Sequence, residues 1–403
     1  MTKTVLMNYK AITINAHKPF YPVADLIPVL WNESGYYLNS TLNFSVDPLL
    51  YGGAYMVQEA GSMILGVVLK QVQAKFTTPI KVLDLCASFG ANATQISSVL
   101  SPGALLVANE PNKQKCPQLK DTITRWGLAN TLVSNNNITD FSKIEGFFDV
   151  IVVANTTSKE EQNIIDYVLP SLKPGGFVIY LTTELNQKNL FTELVNQNEL
   201  KSVVLEMDTS WEISNAHDDG ILTYTISNQD VGPALTFSCF EKPFDALARG
   251  SALRKTKLDY FHNKNRPLIE DWLGNNELYD LIVEQDDIIA IPKEIVEDYA
   301  LLKRYLNITK VGVKLGKITN GKALIPDHEL ALFSGISKVV SSIELEELSV
   351  QLFLKRQDFP ILENFESGWQ LVSHRNYAFG WVKIIGNRMN NYYPKEIKMV
   401  KEF

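Results

Sequence analysis

The residues best equipped for chemistry sit at strand ends. In KVLDLCASFGANATQ a strand bearing Asp84 runs into a loop with Cys86, Ala87 and Gly90, and a helix starts near Asn92. The next strand, ALLVANE, ends at Glu110. Such a loop lets backbone N–H groups approach a ligand's polar tail at a helix N-terminus. The acid at the second strand end is placed to accept hydrogen bonds from two ribose hydroxyls. A single Gly90 does not make G-x-G-x-x-G, so S-adenosylmethionine fits better than a dinucleotide. A Rossmann-like domain whose strand-end acid merely caps a helix fits the same residues, and the loop alone does not choose.

A third strand end, in FFDVIVVANTTSKEEQ, should face substrate in a doubly wound sheet. It holds Ala154, Asn155, Thr156, Thr157 and Ser158, without acid, proline or cysteine. The three cysteines (Cys86, Cys116, Cys239) are too scattered for a disulfide framework. The five histidines (His17, His217, His262, His328, His374) show no metal-ligand spacing.

The elements that position these residues follow from periodicity. Strand-like runs (IKVLDL, ALLVANE, TLVSN, FDVIVV, GFVIYLTT) alternate with helical stretches between residues 80 and 240, which argues for a parallel α/β sheet. The LKPGG turn reads as a helix stop before the last of these strands. Residues 1–75 read as an aromatic-rich, irregular segment that ends in a helix, 76–242 as the Rossmann-like domain and 243–275 as a basic connector. In 276–403, short β-like runs (DDIIAIP, ITKVGVKLGKI, WQLVSH, FGWVKIIG) suggest a small mixed or all-β module. At 403 residues the chain should form two or three domains. Net charge −7 and pI 5.4 exclude a globally basic nucleic-acid binder, so any polyanion site is a local patch. No run is long and apolar enough for a membrane span and no secretory leader is evident, so a cytoplasmic location is expected.

Taken together these stretches resemble the Nop/Sun family of RNA cytosine-5 methyltransferases, in its bacterial ribosomal-RNA branch with a PUA-like C-terminal domain. VLDLCASFGANATQ is similar to the family's cofactor loop D-L-C-A-A-P-G-G-K-x-T. GYYLNSTLNFSVDPLLYGGAYMVQEAGSM, VANE, TRWG and LKPGGFVIYLTTELNQ match in order. LGKITNGKALIPDHELAL and FGWVKIIGNRMNNYYPKEIK look like the PUA-like portion, in a chain whose N-terminal part looks shortened. The resemblance implies a Rossmann-like S-adenosylmethionine methyltransferase domain plus a mixed α/β or β PUA-like RNA-binding domain. It implies RNA, in particular rRNA or a ribosomal subunit, as partner. It places Asp84, Cys86, Ala87, Gly90, Glu110 and Asn136 at the cofactor.

The departures bear on chemistry. The family adds a cysteine thiolate to carbon 6 of cytosine, which makes carbon 5 able to attack the cofactor's methyl group, and a second cysteine assists release. The matching positions are Thr183 and Thr157, with Ala154 where an aspartate contacts the base. A thiol with pKa near ~8.5 is already partly thiolate, whereas an aliphatic hydroxyl needs a strong base beside it. No histidine or lysine accompanies Thr183. The long connection after D-A-P-C is missing, since Ser158 runs almost directly into KEEQNIIDYVLPSL. The P-G-G-K of the loop is Phe89-Gly90-Ala91-Asn92, and Asn136 stands where an acid usually meets the adenine.

For RNA, the C-terminal stretch interleaves Arg375, Lys383, Arg388 and Lys395 with Tyr377, Phe379, Trp381, Tyr392 and Tyr393. The aromatics singly suit a small core. The resemblance points to Arg388, Asn391, Tyr392 and Lys395 as RNA contacts. The run from Arg249 to Arg266, with Arg254 and Lys255, reads equally as an extension of that surface or a solvated linker. The expected function is an RNA-binding pseudoenzyme of this family, acting as a ribosome-associated or assembly factor. The alternatives are an S-adenosylmethionine-dependent enzyme acting on another atom, and a protein-interaction scaffold with an empty cofactor cleft.

Overall fold

The structure, a computed structural model, describes residues 9–19, 26–39, 43–154, 164–183, 189–227, 234–244, 253–261, 265–319, 323–359 and 366–399. Its centre is a ten-stranded sheet in the order Ser214–Asp218, Ile221–Ile226, Leu235–Glu241, Leu172–Thr182, Phe148–Ala154, Lys81–Asp84, Leu105–Asn109, Thr131–Ser134 and Ile308–Lys310, with Lys201–Ser202 paired beside Leu235–Glu241. The five strands from Leu172–Thr182 to Thr131–Ser134 run parallel. All seven residues of Phe148–Ala154 are buried, as a strand covered on both faces requires. The expected α/β architecture is therefore present.

Each face of this sheet has its own core. Val82, Leu106, Ala108 and Val152 pack with Ile64, Val68, Ile96 and Ile123 of three helices, Ile64–Gln73, Ala91–Val99 and Cys116–Trp126. On the opposite face, Leu83, Val107 and Ile151 meet Ile165, Phe191 and the helix Val296–Tyr305 through Val296 and Tyr299. That last helix comes from the region where the sequence reading saw only short β-like runs.

Three further readings are corrected. LKPGG is a bulge inside Leu172–Thr182, because Phe148 pairs with Leu172 while Val150 already pairs with Phe177. ITKVGVKLGKI is two strands. Ile308–Lys310 completes the edge of the central sheet against Thr131–Ser134, whereas Val313–Thr319 joins a separate sheet with Tyr279–Glu284, Asp287–Pro292 and Ala323–Pro326. Gly312 makes the break at φ +50, and a Cβ there would lie 2.2 Å from the Ala290 carbonyl oxygen. Finally, the N-terminal segment holds a four-stranded sheet, ordered Ile27–Pro28, Gly35–Asn39, Tyr9–Ile14 and Tyr55–Gln58. Its Ile12, Leu38 and Tyr55 share a core with Phe353, Val372 and Phe379 of the C-terminal region.

The carbonyl end of helix Cys116–Trp126 joins all three parts. Lys18 Nζ donates to the carbonyls of Arg125 and Gly52, both at 2.7 Å, and Asn15 Nδ2 donates to those of Trp126 at 2.8 Å and Gly53 at 3.0 Å. Cationic and amide donors suit a helix C-terminus, whose last carbonyls lack partners. From the C-terminal region, Ser334 donates through both its N–H and its hydroxyl to the Gly127 carbonyl.

Candidate nucleotide cleft and nucleic-acid interface

In the central sheet, Lys81–Asp84 has Leu105–Asn109 on one side and Phe148–Ala154 on the other, so the strand order reverses there. A cleft opens outside the carboxyl ends of strands at such a switch point. Here it measures about 510 Å³ and is lined by Cys86, Ala87, Phe89, Glu110 and Ala154 among others. That lies within the ~300–1,000 Å³ usual for small-molecule sites. The loop at its floor is pinned: Ala87 N–H donates to Asn109 O at 2.7 Å and Gly90 N–H to Ala87 O at 2.8 Å. Gly90 caps helix Ala91–Val99 at φ +95, where a Cβ would lie 2.9 Å from Thr122.

Two acids lie at the ends of these strands, Glu110 on the cleft lining and Asp84 beneath the surface. Glu110 is buried, lines the cleft, and accepts from Asn112 N–H at 2.8 Å through Oε1. Asp84 is fully buried, and neither carboxyl oxygen has a hydrogen-bond partner among the described residues. Burial first, and then the nearby Glu110, raise its pKa to about 7. Glu110, on the lining itself, suits a ligand with hydroxyl donors or positive charge, such as a sulfonium. The volume and the Glu110 carboxylate fit S-adenosylmethionine.

Asn136, expected at the cofactor, is not among the described residues that line the cleft. Its Oδ1 accepts from Asn307 N–H at 2.9 Å and its Nδ2 donates to Asp140 at 3.3 Å, so the amide ties the cleft's border to the C-terminal region.

At the substrate side, Ala154 is buried, lines the cleft and pairs with Leu181. Thr183 follows two residues beyond Leu181, on an exposed bend. Thr157 lies outside the described residues. Among the described lining residues, Cys86 carries the one thiol; it forms no disulfide and sits on the loop between Asp84 and Gly90.

The candidate RNA residues divide into three groups. Lys383, Arg388, Tyr392 and Lys395 belong to the last sheet (Ser342–Glu344, Gly368–His374, Tyr377–Ile385, Arg388–Asn391) or the turn after it. Arg388 and Lys395 are exposed, and Tyr392 is 47% exposed. Asn391 and Arg375 are engaged within the chain. Asn391 donates to Phe353 O and accepts from Tyr393 N–H, both at 2.8 Å, and Arg375 pairs with Glu347 at 3.4 Å. Arg254 and Lys255 lie against helix Val296–Tyr305: Arg254 N–H donates to Tyr305 Oη at 3.0 Å and Lys255 pairs with Glu297 at 2.5 Å. Tyr377, Phe379, Trp381 and Tyr393 are buried.

The sequence reading missed Trp369. Arg375 and Asn376 both take positive φ, as a tight hairpin turn requires, and the resulting register sets Trp369 opposite Lys383. Lys383 Nζ lies 5.2 Å from the Trp369 ring centre, and Tyr392 meets that ring edge-on at 4.5 Å. The strand-turn-strand pattern around RN was the available signal.

Comparison with known proteins agrees with this layout. The model of the 16S rRNA methyltransferase RsmB/F family matches residues 71–158, which contain the cleft loop and Glu110. The model of the methyltransferase RsmF PUA domain matches residues 340–399, which contain the last sheet. The chain is a relative of the RsmB/F methyltransferases. The Ribosomal RNA small subunit methyltransferase F of Shewanella piezotolerans is 23% identical over 92% of this chain and 85% of that protein. The mouse 28S rRNA (cytosine-C(5))-methyltransferase is 24% identical over 38% of this chain and 23% of its own length. The crystal structure of PH0851 shares the fold at TM-score 0.50, with 17% identity over 58% of this chain and 60% of that one. The two family models thus match the α/β cleft and the last sheet as separate stretches of one chain.

Proposed function

We propose that the chain binds RNA, in particular rRNA or a ribosomal subunit, through its PUA sheet and does not form 5-methylcytosine. The reading rests on the positions where the resemblance expects its two thiols, Thr183 and Thr157, neither of which carries one, and on Ala154, buried in the cleft wall where the resemblance expects an aspartate. Without a thiolate, carbon 5 of the pyrimidine stays a poor nucleophile. The RNA-binding half of the proposal is supported by the cluster of Trp369, Lys383 and Tyr392 on the sheet that also carries exposed Arg388, since base–aromatic stacking contributes ~1–3 kcal/mol per base and cations supply the phosphate contacts.

A second reading has its own observation. The cleft keeps Glu110 and room for S-adenosylmethionine, which favours a cofactor-dependent transfer to an atom other than carbon 5. Incubation of the purified chain with tritiated S-adenosylmethionine and rRNA tests both. Label on carbon 5 of cytidine refutes the first reading, and label at another position selects the second. RNA retention that fails to weaken with salt refutes RNA binding through phosphate contacts.

A further inference from the structure

We propose that the lip of the cleft is a second RNA contact, where Phe89 stacks on an unpaired base while Lys113 and Lys115 hold the adjacent phosphates. The proposal rests on the RNA-binding reading and adds a site on the methyltransferase-type half, away from the PUA sheet.

Phe89 lines the cleft and is 44% exposed. A single exposed ring is ordinary, but this one is held in place. It lies between Ser88 at φ +49 and Gly90 at φ +95, in the loop pinned by the hydrogen bonds of Ala87 and Gly90. Its ring is presented from fixed backbone, so little conformational freedom is lost when a base covers it.

Lys115 beside it, and Lys113 two residues earlier in the same turn, are both exposed, and neither has a carboxylate partner among the described residues. Elsewhere Lys120, Lys143 and Lys173 pair with Glu329, Asp140 and Asp149. Lys115 Nζ lies 5.7 Å from the Phe89 ring centre, so aromatic face and cation form one unit.

Charge then sets the direction of the strand. Glu59 and Glu110 line the cleft behind the lip, and Asp84 lies buried beneath it. Phosphates are repelled from that interior and attracted to the lysines outside it. A polyanion is thereby held across the mouth, with a base turned onto Phe89. An aromatic platform beside a cationic track is how single strands are held without sequence preference.

The test uses the full chain and a short fluorescein-labelled oligouridylate, followed by anisotropy across a salt series. Phe89→Ala should weaken binding about tenfold, and Phe89→Tyr should restore it. Lys113→Gln with Lys115→Gln should flatten the salt slope by about 1.4, at ~0.7 per lost single-strand phosphate contact. Tyr392→Ala with Arg388→Gln reports the PUA sheet separately. If the lip variants match the parent while the PUA variant loses binding, the lip proposal is overturned and the RNA reading stands. If the parent retains no oligouridylate at low salt, both fall. Should Phe89→Ala fail to fold, photocrosslinking of the parent to a 4-thiouridine version of the oligomer decides. Label on the peptide containing Phe89 or Lys115 supports the site, and label confined to the PUA sheet overturns it. Protein captured at the lip in place of the oligomer also overturns it.

Discussion

Lys310 and Glu329 meet as a buried ion pair, Nζ to Oε2 at 2.7 Å, where the central sheet's last strand passes into the C-terminal region. Lys310 also donates to Gly312 O at 2.7 Å, and Glu329 accepts from Lys314 N–H at 3.3 Å with Lys120 of helix Cys116–Trp126 3.8 Å away. Burial pushes the Glu329 carboxyl up, but Lys310 and Lys120 outweigh it and hold its pKa below the usual range. Removing one member of such a pair strands the other charge away from water. Lys310→Met should cost about 3–5 kcal/mol in denaturant unfolding, and adding Glu329→Leu should recover much of it. A double variant as unstable as Lys310→Met would refute the argument.

Asp84 makes stability depend on pH in the opposite sense from most carboxylates. Its folded pKa, about 7, exceeds the ordinary 3.8, so the folded chain binds the extra proton between those values. The stability it contributes is complete below pH ~4 and is lost as pH rises to ~7, by on the order of 4 kcal/mol. Asp84→Asn should remove this dependence. Denaturant unfolding at pH 5 and pH 8 should show a smaller gap for the variant than for the parent, and equal gaps would count against the assignment.

At the three-way junction, burial and then Arg125 lower the Lys18 pKa to about 7. Its value to the fold is the two carbonyls it satisfies. Lys18→Met leaves both without a donor and should lower stability by about 1–3 kcal/mol. Limited proteolysis should then cut first near the N-terminal sheet; unchanged melting and cutting would contradict this.

If the cleft takes S-adenosylmethionine, Glu110→Ala removes the acceptor for the ribose hydroxyls. Calorimetric affinity should fall at least tenfold, since hydrogen bonds to charged groups contribute ~1.5–3 kcal/mol. Affinity that survives Glu110→Ala would mean that the cofactor lies elsewhere.

The sequence displayed the central sheet because its strands are covered on both faces and read as unbroken apolar runs, such as the one ending at Ala154. What it concealed depends on partners distant along the chain. Ile308–Lys310 becomes a strand of the central sheet only because Thr131–Ser134 offers an edge, and helix Val296–Tyr305 acquires its face from Leu83 and Val107. The same holds at the candidate sites. Glu110 was readable from its strand end, whereas the commitment of Asn136 to Asn307 joins residues 171 positions apart. Trp369 became visible only once the hairpin register set it opposite Lys383.

Ile308–Lys310 has a practical corollary for anyone dividing this chain. A fragment cut at the end of the α/β region would leave Thr131–Ser134 with bare amides and carbonyls along one side, a template for pairing with any passing strand. The two regions are therefore best handled as one folding unit, and insolubility of the isolated half would reflect the missing neighbour and not a faulty core.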